Sequence, residues 1–456
     1  MGLYIQIHSM HGLIRPQKPE IGRDVDTGGQ VVYVLELAKA LARLKKVERV
    51  DLVTRRIRDS NYPGYSKPVE PISDKAFIVR LECGPPGYIK KVDLWPHIGE
   101  YAENTRKYIR KLRRKPDILH GNYADAGLVC SKLSEELAIP FVHTGHSLGL
   151  PKMRSLGVNR ANRQEFEEVF HFEKRLAAEQ KIIDTASAIV ASTKEEFKNQ
   201  YKGYKIGKNI SKFRFIPPGI NLGRFYPPKK RGLSGEEQKT MRFFQNLLDQ
   251  DLKSPAKPFI TALSRLNKVK NINGLMQAYS SDRQLQSMAN LVIFAQIQDT
   301  GTYGQKLIKK LNSMIRKHNL YGKVSMPAIS LDYDKQVPEY YRFAAQRRSV
   351  FVNPALMEPF GLTVLEASAC GLPVVATKNG GPSEIIADGR TGLLIDPRDT
   401  RDIARKLKLL LGSRVLWNEI SENSQRNIRR NFSWDLCAKN YLRVFGSAIG
   451  QTRQAK

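Results

Sequence analysis

The sequence predicts an α/β protein made of two doubly wound domains. Two observations carry this expectation. Short apolar, β-rich runs alternate with amphipathic helical stretches from end to end, the pattern of parallel sheets covered by helices on both faces. The chain also has 456 residues, too many for one hydrophobic core, and a Pro-, Gly- and charge-rich region near residues 217–258 divides the runs into two sets.

In the first set the strand candidates are LYIQIH, RVDLVT, AFIVRL, DILHG, IPFVHTG, SAIVAS and FRFIPPG. In the second they are PFITALS, NLVIFAQ, KVSMP, SVFVNP, LPVVAT and TGLLIDP. Between them, stretches such as VVYVLELAKALARL place apolar residues every three or four positions, as one face of a helix requires. PPGINLGRFYPPKKRG opens the join, EEQKTMRFFQNLLDQDL reads as a helix, and KSPAKP closes it. The expected domains are 1–240 and 241–432, with a C-terminal helix over 433–450 packing back on the first. Two facing Rossmann-like domains imply a cleft between them, with ligands beyond the carboxyl ends of the strands.

Composition narrows the function classes. No apolar run approaches the roughly 18 residues of a membrane span, and MGLYIQIHSMHGL lacks the basic start and small-residue cleavage site of a signal peptide. Cys83, Cys130, Cys370 and Cys437 lie far apart with no CxxC pair, the usage of free thiols in a reducing cytoplasm. A cytoplasmic protein without membrane attachment is expected. The net charge of +31 raises nucleic acid as a partner. The basic residues are spread over many helices, as in RKYIRKLRRK and KLIKKLNSMIRKH, so solvated helix faces are the expectation and specific nucleic-acid binding is not.

The loops after strands carry the chemistry. In EPFGLTVLEASACG, a Gly-punctuated turn feeds a short helix, where free N–H groups and the positive end of the dipole suit a phosphate. The amides of Gly361, Leu362 and Thr363 would serve it. Two carboxylates flank that turn, Glu358 and Glu366. A carboxylate only accepts hydrogen bonds at neutral pH, so each suits a sugar diol; charge compensation at the helix terminus is the other reading of Glu366. A nucleotide sugar offers a ribose, a diphosphate and a hexose. In SRLNKVKN, Arg265 and Lys270 stand beyond a strand and could hold the diphosphate without metal. In the first half, GRDVDTGGQ sets Gly28 and Gly29 before a helix, open to close ligand approach. Asp24 and Asp26 spell DxD, but Asp26 reads as a turn or N-cap acceptor rather than a metal ligand. Tyr123 follows DILHGN, while His146, Ser147 and Lys152 follow IPFVHTG; Lys152 with Lys174 and Arg175 could hold a second phosphate.

DTGGQVVYVLELAKAL, TGHSLGLPKM, SRLNKVKN and NPALMEPFGLTVLEASACGLPVVATKNGGPSEI together resemble the sucrose-phosphate synthases, retaining glycosyltransferases of the GT-B fold related to sucrose synthases and mannosylfructose-phosphate synthases. The resemblance runs through nearly the whole chain. It implies transfer of glucose from UDP-glucose to fructose 6-phosphate; GDP-mannose as donor or free fructose as acceptor are the related alternatives. Arg265 and Lys270 would hold the donor diphosphate, Glu366 the ribose and Glu358 the hexose. Gly29 and the amides of Leu362 and Thr363 would contact the donor, with His146 near the reacting centre. Gly28, Gln30, Tyr123, Ser147, Lys152, Lys174 and Arg175 would line the acceptor site. Val269 stands where many relatives carry a Lys, and Asn267 replaces a frequent Asp. The resemblance further implies no metal or other cofactor, a bare catalytic unit, and a phosphatase acting downstream on the product.

Overall fold

In the computed structural model every apolar run named above pairs in parallel with a neighbour, and the runs sort into two sheets. The structure describes all residues but 1, 22, 25, 230, 231, 233, 297–300, 455 and 456. Val25 of the DxD triplet and part of the 217–258 join therefore lie outside the described residues.

The first sheet contains β1 (Leu3–His8), β2 (Val47–Arg55), β3 (Val69–Pro71), β4 (Ala76–Leu81), β5 (Ile118–Asn122), β6 (Phe141–Thr144), β7 (Ala188–Ala191) and β8 (Phe213–Phe215). Their order is β3-β4-β2-β1-β5-β6-β7-β8. All pairs are parallel except β3 with β4. Ile5 of β1 pairs with Val50 on one side and Ile118 on the other. Chain order reverses at β1, so the switch point lies between β1 and β5, where such sheets bind ligands. The helix Gly29–Ala42 buries Val31, Val34, Leu35 and Leu37 against this sheet.

The second sheet contains β9 (Phe259–Arg265), β10 (Asn290–Gln296), β11 (Val324–Ser325), β12 (Val350–Asn353), β13 (Val374–Thr377) and β14 (Leu393–Ile395). Its order is β11-β10-β9-β12-β13-β14, parallel throughout. Here the reversal falls between β9 and β12. Both switch points thus sit beside loops that the sequence marks for chemistry.

The chain divides into Met1–Gly219 with Trp434–Lys456, and Ile220–Ser433. The division precedes residue 240 because the helix Gly235–Asp251 buries Phe244 and Leu248 in the second core, with Phe294, Tyr340 and Phe351. The C-terminal helix Trp434–Gln454 buries Trp434, Cys437, Tyr441 and Phe445 in the first core. Tyr441 Oη lies 2.9 Å from Thr144 Oγ1 and shares a second hydrogen bond with the Tyr33 hydroxyl. Among the described residues no helix is long and apolar enough to cross a membrane. All four cysteines are buried and free.

Candidate active site

In the second unit the loops after β9 and β12 are tied together. Asn267, just past the end of β9, accepts the Lys270 N–H on its side chain at 3.0 Å, and Leu356 N donates to Val269 O at 2.8 Å. Lys270 Nζ lies 2.6 Å from Glu358 Oε2, and the Asn353 amide donates to the same oxygen at 3.1 Å. Burial alone would raise the Glu358 carboxyl, but Lys270, the Asn353 bond and the charge of Arg265 outweigh it and hold it below the usual carboxylate range. Arg265, Lys270 and Glu358 are therefore brought to one place. The sequence argues for a cation pair and a carboxylate separately; the structure adds the ion pair that joins them.

The backbone of Glu358 is clamped as well. Its N–H donates to Asn379 O at 3.1 Å and its carbonyl accepts from Gly381 N at 2.9 Å. This contact explains the two glycines of KNGGP. Gly380 has φ +100°, and a Cβ there would stand 2.1 Å from Glu358 O; a Cβ on Gly381 would stand 2.3 Å from Phe360 O. Gly361, also left-handed at φ +102°, caps the helix Leu362–Ala369, whose first residues Leu362 and Thr363 are half-buried. Glu366 is 3% exposed. Its two oxygens accept from Tyr333 Oη at 2.7 Å and Tyr341 Oη at 3.2 Å, so its partners are tyrosines rather than the helix terminus. Burial pushes this carboxyl up to about 7 against the lowering effect of those bonds and of Arg224.

In the first unit a polar group forms beyond β1, β5 and β6. Asp24 accepts from Asp26 N (2.7 Å), Thr27 N (2.9 Å) and Tyr88 Oη (2.8 Å). It is thus Asp24, and not Asp26 as expected, that closes the turn; Gly28 caps the helix without a side-chain bond. Asp26 instead accepts from Lys91 N at 2.8 Å. Gln30 donates to the Ser9 hydroxyl, holding the start of this helix to the loop after β1.

Tyr123 and His146 both have left-handed backbones, φ +66° and +55°. Their rings stack at 5.3 Å and 27°, and His11 meets Tyr123 edge-on at 4.5 Å. His11 Nδ1 lies 2.7 Å from Asp125 Oδ2. Non-glycine residues held left-handed store strain that the surrounding packing must maintain, and such residues cluster at functional sites. The His146 tautomer follows from its neighbour. Asn122 Nδ2 donates to the carbonyls of His8 and His120 at 3.3 and 3.4 Å, which turns its Oδ1 toward His146 Nε2 at 2.8 Å. Nε2 must then carry the proton, leaving Nδ1 as an acceptor. Burial, aided by His143 and His11, lowers His146 to about 3, so the imidazole stays neutral.

The cations converge beside this stack. Lys152, on the helix Gly149–Leu156, places Nζ 4.0 Å from the Phe170 ring. Burial and the positive charges of Lys91 and Arg175 lower it to about 7. Lys91 Nζ stands 4.9 Å from the Tyr123 ring centroid. Arg175 is buried and already donates to Glu179 at 2.9 Å and to Ser147 O at 2.7 Å, so it supplies charge and fixes the Ser147 loop. Lys174 is exposed, about 100° further round the helix, and does not join the group. His11, Lys91, Asn122 and Asp125 are not singled out by the sequence. MHGL and NYAD after two strands signal three of them, whereas nothing local signals Lys91. In the second unit the same is true of Asn353, Tyr333 and Tyr341.

Residues 2–222 match the family model of the sucrose synthase first GT-B domain, and residues 244–427 match glycosyl transferases group 1. The chain has the GT-B fold, and each of its two units matches a glycosyltransferase family model. Sucrose-phosphate synthase 4 of Arabidopsis thaliana is 36% identical over 96% of this chain and 47% of its own length. The chain thus spans about half the length of the curated relatives it matches. The solved sucrose-phosphate synthase of Thermosynechococcus elongatus is 26% identical, with a TM-score of 0.76 and full coverage of both chains. Anabaena HepE in complex with UDP-glucose shares the fold at 16% identity and a TM-score of 0.64, again covering both chains fully. The chain is therefore similar to sucrose-phosphate synthases along its whole length.

Proposed function

We propose that the chain transfers glucose from UDP-glucose to fructose 6-phosphate, forming sucrose 6-phosphate and UDP. The observation that carries the acceptor half is the convergence of Lys91, Lys152 and Arg175 beside Tyr123 and His146, in a chain similar throughout to sucrose-phosphate synthases. Burial first, and then the charges of Lys91 and Arg175, lower Lys152; an anionic sugar phosphate paired with it would oppose that shift. Tyr123 and Ser147 offer hydroxyls to the sugar, and Gly28 and Gln30 line the same loop.

In this reading the donor belongs to the second unit. Arg265, Lys270 and the amides at Leu362 and Thr363 hold the diphosphate, Glu366 the ribose diol and Glu358 the hexose, while Gly29 and His146 keep the donor contacts that the family resemblance assigns them. An acceptor hydroxyl oxygen bonds to the anomeric carbon as the bond to the β-phosphate oxygen breaks. The departing diphosphate takes the hydroxyl proton on the same face, so configuration is retained. Arg265, Lys270 and the helix dipole stabilise the charge that grows on the leaving group, and no metal is needed. Buried free thiols favour a reducing, cytoplasmic setting. Turnover of UDP-glucose with fructose 6-phosphate in EDTA tests the proposal: magnesium-dependent activity, or none with this pair, would refute it.

A further inference from the structure

The carboxylate of Glu366 does not stand alone. It emerges from the helix Leu362–Ala369, yet both oxygens are met by hydroxyls from a different segment, Tyr333 at 2.7 Å and Tyr341 at 3.2 Å. That segment is itself fixed. Asp332 accepts from Asp334 N at 2.9 Å and Lys335 N at 2.8 Å, while Gln336 accepts from Asp332 N at 2.8 Å. These bonds pin the entry to the helix Gln336–Gln346, which carries Tyr341. Behind Tyr333, the Arg224 guanidinium lies 5.5 Å from its ring and pairs with Asp334 at 3.0 Å.

We propose that Tyr333, supported by Tyr341, is a positioning residue for nucleotide recognition: its hydroxyl orients the Glu366 carboxylate to accept both hydroxyls of the donor ribose. The inference rests on the assignment of Glu366 to the ribose. A carboxylate has about four acceptor positions; two are filled by the tyrosines, and two remain for a vicinal diol. The groups that bear on its ionisation are Tyr333, Tyr341, Arg224 and the Cys370 thiol. Burial favours the neutral acid, which would donate a proton and lose an acceptor position. The tyrosine bonds oppose that change. Removing one raises the carboxyl, so binding that needs the carboxylate weakens at neutral pH and recovers as pH rises.

Calorimetric titration of the full chain with UDP and with 2′,3′-dideoxy-UDP, from pH 6 to 9, tests this. Wild type is expected to bind UDP more tightly, with the preference falling as pH drops through about 7. In Tyr333→Phe the preference at pH 7 should fall about tenfold, the scale of one hydrogen bond to a charged group, and should return in part at pH 9. Tyr341→Phe, which loses the longer bond, should show a smaller change in the same direction and gives a second reading should the first variant fold poorly. If wild type does not distinguish the two nucleotides, the ribose assignment of Glu366 fails and takes the inference with it. If wild type does distinguish them and both variants keep the preference and its pH profile, Tyr333 positions nothing and the inference alone is overturned.

Discussion

Replacing Lys270 with Ala strands a buried carboxylate, and that consequence can be measured without any substrate. Glu358 is 8% exposed, and Lys270, with its side chain 25% exposed, meets it at 2.6 Å. Breaking a buried ion pair typically costs about 3–5 kcal/mol, and a hydrogen bond to a charged group about 1.5–3 kcal/mol. Because Lys270 is partly solvated, about 2–3 kcal/mol is the expected loss. For a unit of this size 1 kcal/mol shifts Tm by about 2–4 °C, so calorimetry should show the transition of the second unit falling by about 4–12 °C. Glu358→Gln, which removes the charge and leaves the half-buried lysine to solvent, should cost about 1 kcal/mol or less. The double variant Lys270→Ala/Glu358→Gln should then be more stable than Lys270→Ala alone. The pH dependence has a definite sign. Lys270 holds Glu358 below its ordinary range, so the pair's contribution is present at neutral pH and is lost as pH falls through that depressed value; the gap between wild type and Lys270→Ala should close in acid. A double variant no more stable than Lys270→Ala, at a pH where Glu358 is ionised, would refute the claim that this lysine sustains the carboxylate.

Lys152, lowered to about 7, should lose its charge as pH rises, so kcat/KM for fructose 6-phosphate should fall above pH 7; Lys152→Arg should flatten that limb in a pH–rate series. Gly381→Ala places a Cβ 2.3 Å from Phe360 O, which should displace the Glu358 loop, lower stability by about 1–3 kcal/mol and raise the KM for the donor more than that for the acceptor. In Asn122→Asp a carboxylate would face His146 Nε2 and raise the imidazole from about 3. An acid limb in kcat should therefore appear at higher pH than in wild type, and 15N chemical shifts of the ring should report the change.

Much of the fold is legible in the sequence because strands buried on both faces of a parallel sheet read as continuous apolar runs. β3 escapes that logic: Val69–Pro71 is three residues long, ends in proline and pairs antiparallel at the sheet edge. The domain division also escapes it. The helix Gly235–Asp251 is amphipathic whichever sheet it covers, so only the observed packing of Phe244 and Leu248 shows where it belongs. At the site, Glu358 and Glu366 stand out through spacing around a Gly turn, and their partners do not. Lys270 is 88 residues from Glu358, and Asp125 is 114 from His11; no local pattern encodes such pairs. Arg175 shows the converse error, since a cation that looks available in FHFEKRL is committed to Glu179 and Ser147.

The central claim is tested most directly by a matrix of UDP-glucose, ADP-glucose and GDP-mannose against fructose 6-phosphate and fructose, with released nucleotide measured in EDTA. UDP should appear in quantity only with UDP-glucose and fructose 6-phosphate, since with free fructose Lys152 would be desolvated without gaining an anionic ligand. Equal turnover of free fructose, or preference for GDP-mannose, would contradict the assignment.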